Sequence, residues 1–68
     1  MSEIDKAVSE AIRNGWNGAP IAALKSDRPL SEIHDYLSQE WSRVDFVNGK
    51  FKVYSGRRLE FELRLEKN

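Results

Sequence analysis

The spacing of the apolar residues changes near Arg43, and this change constrains the fold more than any other feature of the sequence. Before Arg43, apolar residues recur every three or four positions, which is typical of helices with one buried face. After Arg43 they alternate with polar residues, which is typical of strands with one buried face. Helices that precede a one-sided sheet must cover its apolar face, so the pattern predicts a two-layer α+β fold. A chain of 68 residues has room for one small domain of this kind.

Two long helices are predicted before the change of spacing. The first spans about 3–14 and ends at Asn14-Gly15, because both residues tolerate the left-handed backbone of a helix C-cap. The second spans about 31–42, with Ser31 or Asp27 as its N-cap. Their apolar stripes are Ile4, Ala7, Val8, Ala11 and Ile12 in the first helix, and Leu30, Ile33, Leu37 and Trp41 in the second.

Asn48-Gly49 indicates a β-hairpin, because both central positions of a type I′ turn need a positive φ. A two-residue loop centred there pairs Val44 with Val53 and Phe46 with Phe51. These four side chains then share one face of the sheet, which the register of the hairpin determines.

A three-residue loop at 55–57 is predicted to lead into a third strand, because this loop length places apolar residues opposite apolar ones and each Lys opposite a Glu. The pairs are Val53–Leu59, Phe51–Phe61, Lys52–Glu60 and Lys50–Glu62. The result is a three-stranded antiparallel meander at about 43–48, 50–55 and 58–66. Its inner face consists of Val44, Phe46, Phe51, Val53, Leu59, Phe61, Leu63 and Leu65. The third strand is expected at the edge, where an uncovered backbone would allow dimerisation by strand addition.

A short helix is predicted between the two long ones, since Pro20 can open a helix in which Ile21 and Leu24 point inward. The order of elements is then helix, short helix, helix and three strands. This order resembles that of a winged-helix domain, in which the second and third helices would form a helix-turn-helix with Ala23 and Ile33 at its packing positions. The resemblance implies DNA binding through the hairpin, with phosphate contacts from Lys50, Lys52, Arg57 and Arg58.

The distribution of charge disfavours DNA as the partner. The chain has eleven basic and eleven acidic residues, so its formal net charge is zero. Residues 46–58 carry four basic residues and no acidic one, but residues 31–45, which include the would-be recognition helix, carry four acidic residues and one basic one. Affinity for nucleic acid comes mainly from cations, and this helix would present Glu32, Asp35 and Glu40 to the phosphates.

Catalysis and metal binding find little support in the residues. His34 is the only histidine, with Ser31 and Ser38 three and four residues away on the predicted helix. A serine nucleophile also needs an oxyanion site inside a cleft, and a domain this small can hardly surround a pocket of roughly 300–1,000 Å³. The chain has no cysteine, which removes thiolate ligands. We expect no enzymatic activity, no cofactor and no metal, and, without a run of about 20 apolar residues, no membrane span.

A small cytoplasmic protein-interaction module is the function that remains, with another protein or a second copy of the chain as its partner. Exposed aromatic residues beside arginines are common anchors of protein interfaces, and an acidic helix beside a basic turn favours an oriented encounter. The candidate contact residues are Trp16, Tyr54, Arg57, Arg58, Glu32 and Asp35. Trp41 belongs to a helical stripe and is assigned to the core, and Trp16 is expected to fold back over the core.

Overall fold

The computed structural model describes residues 2–66, except for the side chain of Ser2, and forms two helices and one four-stranded sheet. The elements in chain order are α1 (Ser2–Gly15), β1 (Ile21–Lys25), α2 (Leu30–Ser38), β2 (Arg43–Val47), β3 (Lys50–Ser55) and β4 (Arg58–Glu66). The strands lie in the order β1-β4-β3-β2. β1 runs parallel to β4, and the other neighbouring pairs are antiparallel.

The segment predicted as a short helix is strand β1, so the predicted meander with three helices is wrong. Ala22 and Leu24 face the core, and the residues that alternate with them along the segment are partly or fully exposed, as in a strand with one buried face. A short apolar run fits either a helix or a strand, and here hydrogen bonding to β4 decides in favour of the strand. The helix-turn-helix therefore does not exist, since Ala23 lies in β1, and the fold is not a winged helix. β4 is consequently an inner strand, and the edges of the sheet are β1 and β2.

The β2–β3 hairpin is confirmed residue by residue. Val44 pairs with Val53 and Phe46 with Phe51, whose rings lie 4.7 Å apart between centroids. Asn48 and Gly49 have φ values of 52° and 77°, as a type I′ turn requires.

The predicted register between β3 and β4 is wrong by two residues in the body of the strands. Ser55 pairs with Arg58 across a two-residue turn that begins at Gly56, which has a φ of 65°. An irregularity between Val53 and Tyr54 then brings Val53 opposite Phe61. Residue 60 is left unpaired, as in a β-bulge. The partner of Val53 is thus two residues later than predicted, and a shift of two residues keeps the apolar side chains on the same face.

Helix α2 is shorter than predicted. It begins after Pro29, which is the N-cap residue in place of the predicted Ser31 or Asp27, and it ends at Ser38. Ile33 and Leu37 are its buried residues, and Trp41 lies beyond its end.

The core lies between the helices and one face of the sheet, with α1 packed over β1 and β4 and α2 beside β2. Its buried apolar residues are Ile4, Ala7, Ala11, Ala22, Leu24, Ile33, Leu37, Val44, Phe51, Val53, Phe61 and Leu63. Two residues predicted for the inner face are exposed instead, Phe46 by 40% and Leu59 by 39%. Phe46 lies on an edge strand, and the bulge places Leu59 opposite Tyr54 of the polar face instead of opposite Val53.

A polar cluster fastens the start of α1 to the loop between β1 and α2. The buried Ser26 donates its hydroxyl proton to Glu3, and Arg28 donates to Glu3 and, at 3.0 Å, to Glu32. Hydrogen bonds from the Arg28 guanidinium, from the backbone and from Ser26 lower the pKa of the Glu3 carboxyl to about 2. The Glu3 carboxylate therefore stays ionised, and bonded to Arg28, at pH values well below the usual pKa of glutamate.

Candidate protein-docking site

A surface pocket of about 320 Å³ lies where the end of α1 meets the start of β4. Four separate parts of the chain contribute to it: the last turn of α1, the loop before β1, the loop after α2, and the first residues of β4. Its lining consists of Ile12, Gly15, Trp16, Pro20, Trp41, Arg58, Leu59 and Glu60. We call this group the Trp16 pocket.

Trp16 is 84% exposed, so the expectation that it folds back over the core is wrong. The loop after α1 is held by its own backbone hydrogen bonds, from the Trp16 amide to the Arg13 carbonyl at 3.1 Å and from the Gly18 amide to the Gly15 carbonyl at 3.0 Å. The Asn14 side chain also donates to the Ile21 carbonyl at 2.9 Å and joins the helix end to β1. A loop held by several hydrogen bonds therefore presents the indole of Trp16 to solvent.

Trp41, unlike Trp16, packs against the core. Its ring meets Phe61 edge to face, with centroids 5.1 Å apart and an interplanar angle of 85°. Trp41 is partly buried, so it packs on the core as predicted and also lines the pocket. Ile12 and Leu59 are each 39% exposed, so several apolar side chains converge on one surface site.

The rim of the pocket carries charge. Arg58 and Glu60 line it, and Arg57 is the next residue in the turn. Within residues 2–66, neither arginine forms an ion pair, so both guanidinium groups are available to an external anion. Tryptophan and arginine are both enriched at the energetically dominant positions of protein interfaces.

The other candidate contact residues lie away from this pocket. Glu32 belongs to the Arg28 cluster, and Asp35 is exposed on α2 with a carboxylate oxygen 3.9 Å from Nδ1 of His34. Tyr54 lies on the sheet face that α1 and α2 leave uncovered, under the guanidinium of Arg43 at 5.2 Å from its ring centroid. Of the six predicted residues, the structure brings Trp16 and Arg58 together, with Arg57 adjacent.

The four basic residues proposed as phosphate contacts are spread along the hairpin of β3 and β4. Lys50 starts β3 and Arg57 lies in the turn beyond its end, roughly 17–23 Å away along an extended strand. Lys52 pairs with Asp45 on one side and Glu62 on the other, so acidic residues flank it. The cross-strand neighbour of Lys50 is Arg64, not the predicted Glu62.

His34 joins α2 to the sheet. Its Nε2 lies 2.7 Å from the Val44 carbonyl oxygen, and an Nε2 proton donated there satisfies that carbonyl on edge strand β2. The Ser38 hydroxyl donates to the His34 backbone carbonyl at 2.7 Å, as a helical serine often does. Of the two serines near His34 in the sequence, Ser38 therefore has a structural role.

Sequence reasoning missed Ile12, Pro20, Leu59 and Glu60 as members of the pocket. Ile12 ends the stripe of α1 next to a Gly-rich loop, and that position beside a helix end is the one signal that could have indicated it. Leu59 gave no signal, because only the bulge removes it from the apolar pairing.

Comparisons of the chain with protein-family models, with curated proteins and with solved structures found no match. The site is therefore interpreted from its own geometry. Neither described helix has the length and apolar character needed to cross a membrane.

Proposed function

We propose that this protein is a small cytoplasmic interaction module that binds a partner protein by accepting one of the partner's apolar side chains in the Trp16 pocket. The observation that carries the proposal is the 84% exposure of Trp16 beside a pocket that Ile12, Trp41 and Leu59 also line. Removing these side chains from water contributes roughly 25 cal/mol per Å² of apolar surface before the entropic and desolvation costs of association are subtracted. The loop that carries Trp16 is already held by hydrogen bonds, so binding requires little further ordering of its backbone.

The charges at the rim define the rest of the partner. Arg57 and Arg58 have no ion-pair partner in the described chain, and a carboxylate placed near them would gain charge-assisted hydrogen bonds. The partner segment would thus carry a large apolar residue, aromatic or leucine, next to aspartate or glutamate. A pocket of about 320 Å³ has room for one large side chain of this kind.

A phage-displayed library of random peptides tests this proposal directly. We expect selection on the wild-type protein to enrich peptides that combine an aromatic or leucine residue with acidic neighbours. Trp16→Ala should weaken their binding by about 30-fold or more, because dominant interface residues contribute 2 kcal/mol or more. The exposed position of Trp16 means that this variant keeps its fold.

Ile12→Ala and Leu30→Ala form a matched pair of controls. Both residues are aliphatic, helical and similarly exposed, at 39% and 41%, but only Ile12 lines the pocket. The Ile12 variant should weaken peptide binding and the Leu30 variant should not. Selected peptides that bind Trp16→Ala as tightly as wild type, or a selection that enriches no peptide, would refute the proposed site.

A further inference from the structure

The outer edge of β1 exposes backbone groups that lack partners. The Glu62 amide donates to the Pro20 carbonyl at 2.9 Å, and the Ser26 amide donates to the Glu66 carbonyl at 3.2 Å, so Pro20 and Ser26 direct these groups toward β4. Alternate residues of a strand point their backbone groups to the same side, so Ile21, Ala23 and Lys25 direct theirs away from β4.

Ile21 satisfies its groups locally. Its amide donates to Ala19 at 2.8 Å, and its carbonyl accepts from Asn14. Within residues 2–66, the amides and carbonyls of Ala23 and Lys25 have no hydrogen-bond partner. They are therefore available for pairing with an additional strand.

This edge also lacks the protection that the other edge of the sheet has. On β2, the Val44 carbonyl is bonded by His34, and Arg43 and Asp45 form an ion pair with a 2.8 Å contact. Such charges and covered groups oppose edge-to-edge pairing. In β1, the first four residues are Ile, Ala, Ala and Leu, and the single charge comes at Lys25.

A groove of about 460 Å³ runs along the β1 edge, with α1 as its other wall. Its lining is Glu3, Lys6, Ala7, Glu10, Ala23 and Lys25, and it shares no residue with the Trp16 pocket. Ala7 and Ala23 are small, so they leave room for another backbone to approach.

We propose that a second copy of this chain occupies this edge, by antiparallel pairing of β1 with β1 about a two-fold axis at Leu24. This register places Ala23 of each copy opposite Lys25 of the other. Each open amide then donates to an open carbonyl, and the locally bonded Ile21 lies outside the paired segment. The two four-stranded sheets become one continuous sheet.

The charges on α1 are complementary to themselves in the same arrangement. Glu3, Lys6, Glu10 and Arg13 lie along one side of the helix at spacings of three, four and three, and their signs alternate. When the two copies of α1 lie antiparallel with Val8 opposite Val8, Lys6 of one copy lies opposite Glu10 of the other, and Glu3 lies opposite Arg13.

The two-fold axes of strand and helix coincide. Ser26 contacts Glu3 and Ile21 contacts Asn14, so α1 runs antiparallel to β1 and its middle lies level with the middle of the strand. The axis that pairs the open backbone groups therefore also pairs the opposite charges. An extended peptide from another protein would satisfy the backbone groups but would not account for this charge symmetry.

Sedimentation equilibrium of the full chain tests the dimer. We expect a concentration-dependent dimer that Ala23→Pro abolishes, because this proline removes an outward amide and leaves the hydrogen bonds to β4 intact. Circular dichroism verifies that the variant keeps its fold.

Charge exchange on α1 provides a second test that does not alter the strand. Lys6→Glu should raise the dissociation constant by about tenfold through repulsion with Glu10 of the partner copy. The double variant Lys6→Glu, Glu10→Lys should restore wild-type affinity. Lys50→Glu, on β3, is the matched charge-reversal control and should leave the constant unchanged.

A wild-type protein that stays monomeric at millimolar concentration would overturn the proposal, as would a dimer that neither Ala23→Pro nor Lys6→Glu weakens. Trp16→Ala should leave the dimer intact, since the two sites share no residue. Failure of the dimer is thus distinguishable from failure of the Trp16 pocket.

Discussion

Leu24→Ala and Ile21→Ala together test whether residues 21–25 form a strand. In the strand, Leu24 is fully buried under α1, whereas Ile21 alternates to the other face and is partly exposed. In a helix that begins at Pro20, both side chains would point inward one turn apart. The two structures therefore predict different ratios of destabilisation.

The expected magnitudes follow from burial. Removing a fully buried leucine side chain down to alanine costs about 2–5 kcal/mol. Full burial of an isoleucine is worth roughly 1.5–3 kcal/mol, so loss of the partly buried Ile21 should cost about 1 kcal/mol. A chain of 68 residues has a total stability of roughly 3–10 kcal/mol, so Leu24→Ala removes a large part of it.

Urea unfolding followed by circular dichroism measures both variants. All proteins should be compared at one low protein concentration, since dimerisation adds to the apparent stability. We expect the Leu24 variant to lose at least twice as much free energy of unfolding as the Ile21 variant. Equal losses would refute the strand assignment and the edge that depends on it.

Two further predictions concern the polar cluster and the second turn. The pKa of Glu3 is lowered to about 2 in the folded protein by Arg28, so its contribution to stability is present above pH 4.5 and disappears as the pH falls toward 2. Glu3→Gln should remove this part of the dependence of stability on pH. A melting temperature that falls as steeply between pH 4.5 and about 2 in the variant as in the wild type would contradict the prediction. Gly56→Ala should lower the free energy of unfolding, measured with urea, by about 1–2 kcal/mol, because Gly56 has a φ of 65°. No atom lies near the added methyl group, so the cost comes from the backbone conformation alone. A neutral substitution there would show that the backbone strain is absent.

The parts of the fold that depend only on residues close together in the sequence could be predicted. Helix α1 and the β2–β3 hairpin follow from a local periodicity and from the turn at Asn48-Gly49, which sets the register of both strands at once. The register of β4 could not be predicted in the same way. A bulge leaves residue 60 of β4 unpaired opposite Val53 and Tyr54 without a local turn signal, and it is compatible with the same alternation of apolar side chains.

The candidate site was predictable in its residue types but not in its shape. Trp16 and Arg58 are noticeable in the sequence as an aromatic residue in a loop and a basic residue in a turn. The pocket that joins them needs the end of α1, the loop before β1, the loop after α2 and the start of β4 to meet. Trp41 packs on Phe61 whereas Trp16 is exposed to solvent, and only the tertiary structure distinguishes the two indoles.

Sequence alone determined which faces of the long helix and of the hairpin are apolar, because side-chain periodicity follows from backbone geometry within a few residues. The tertiary structure alone decided that residues 21–25 extend, because a run of four apolar residues followed by Lys25 gains its interstrand hydrogen bonds only from β4, about forty residues later. That one long-range pairing moves β4 into the interior of the sheet and makes β1 the open edge. The same pairing fixes where the Trp16 pocket forms.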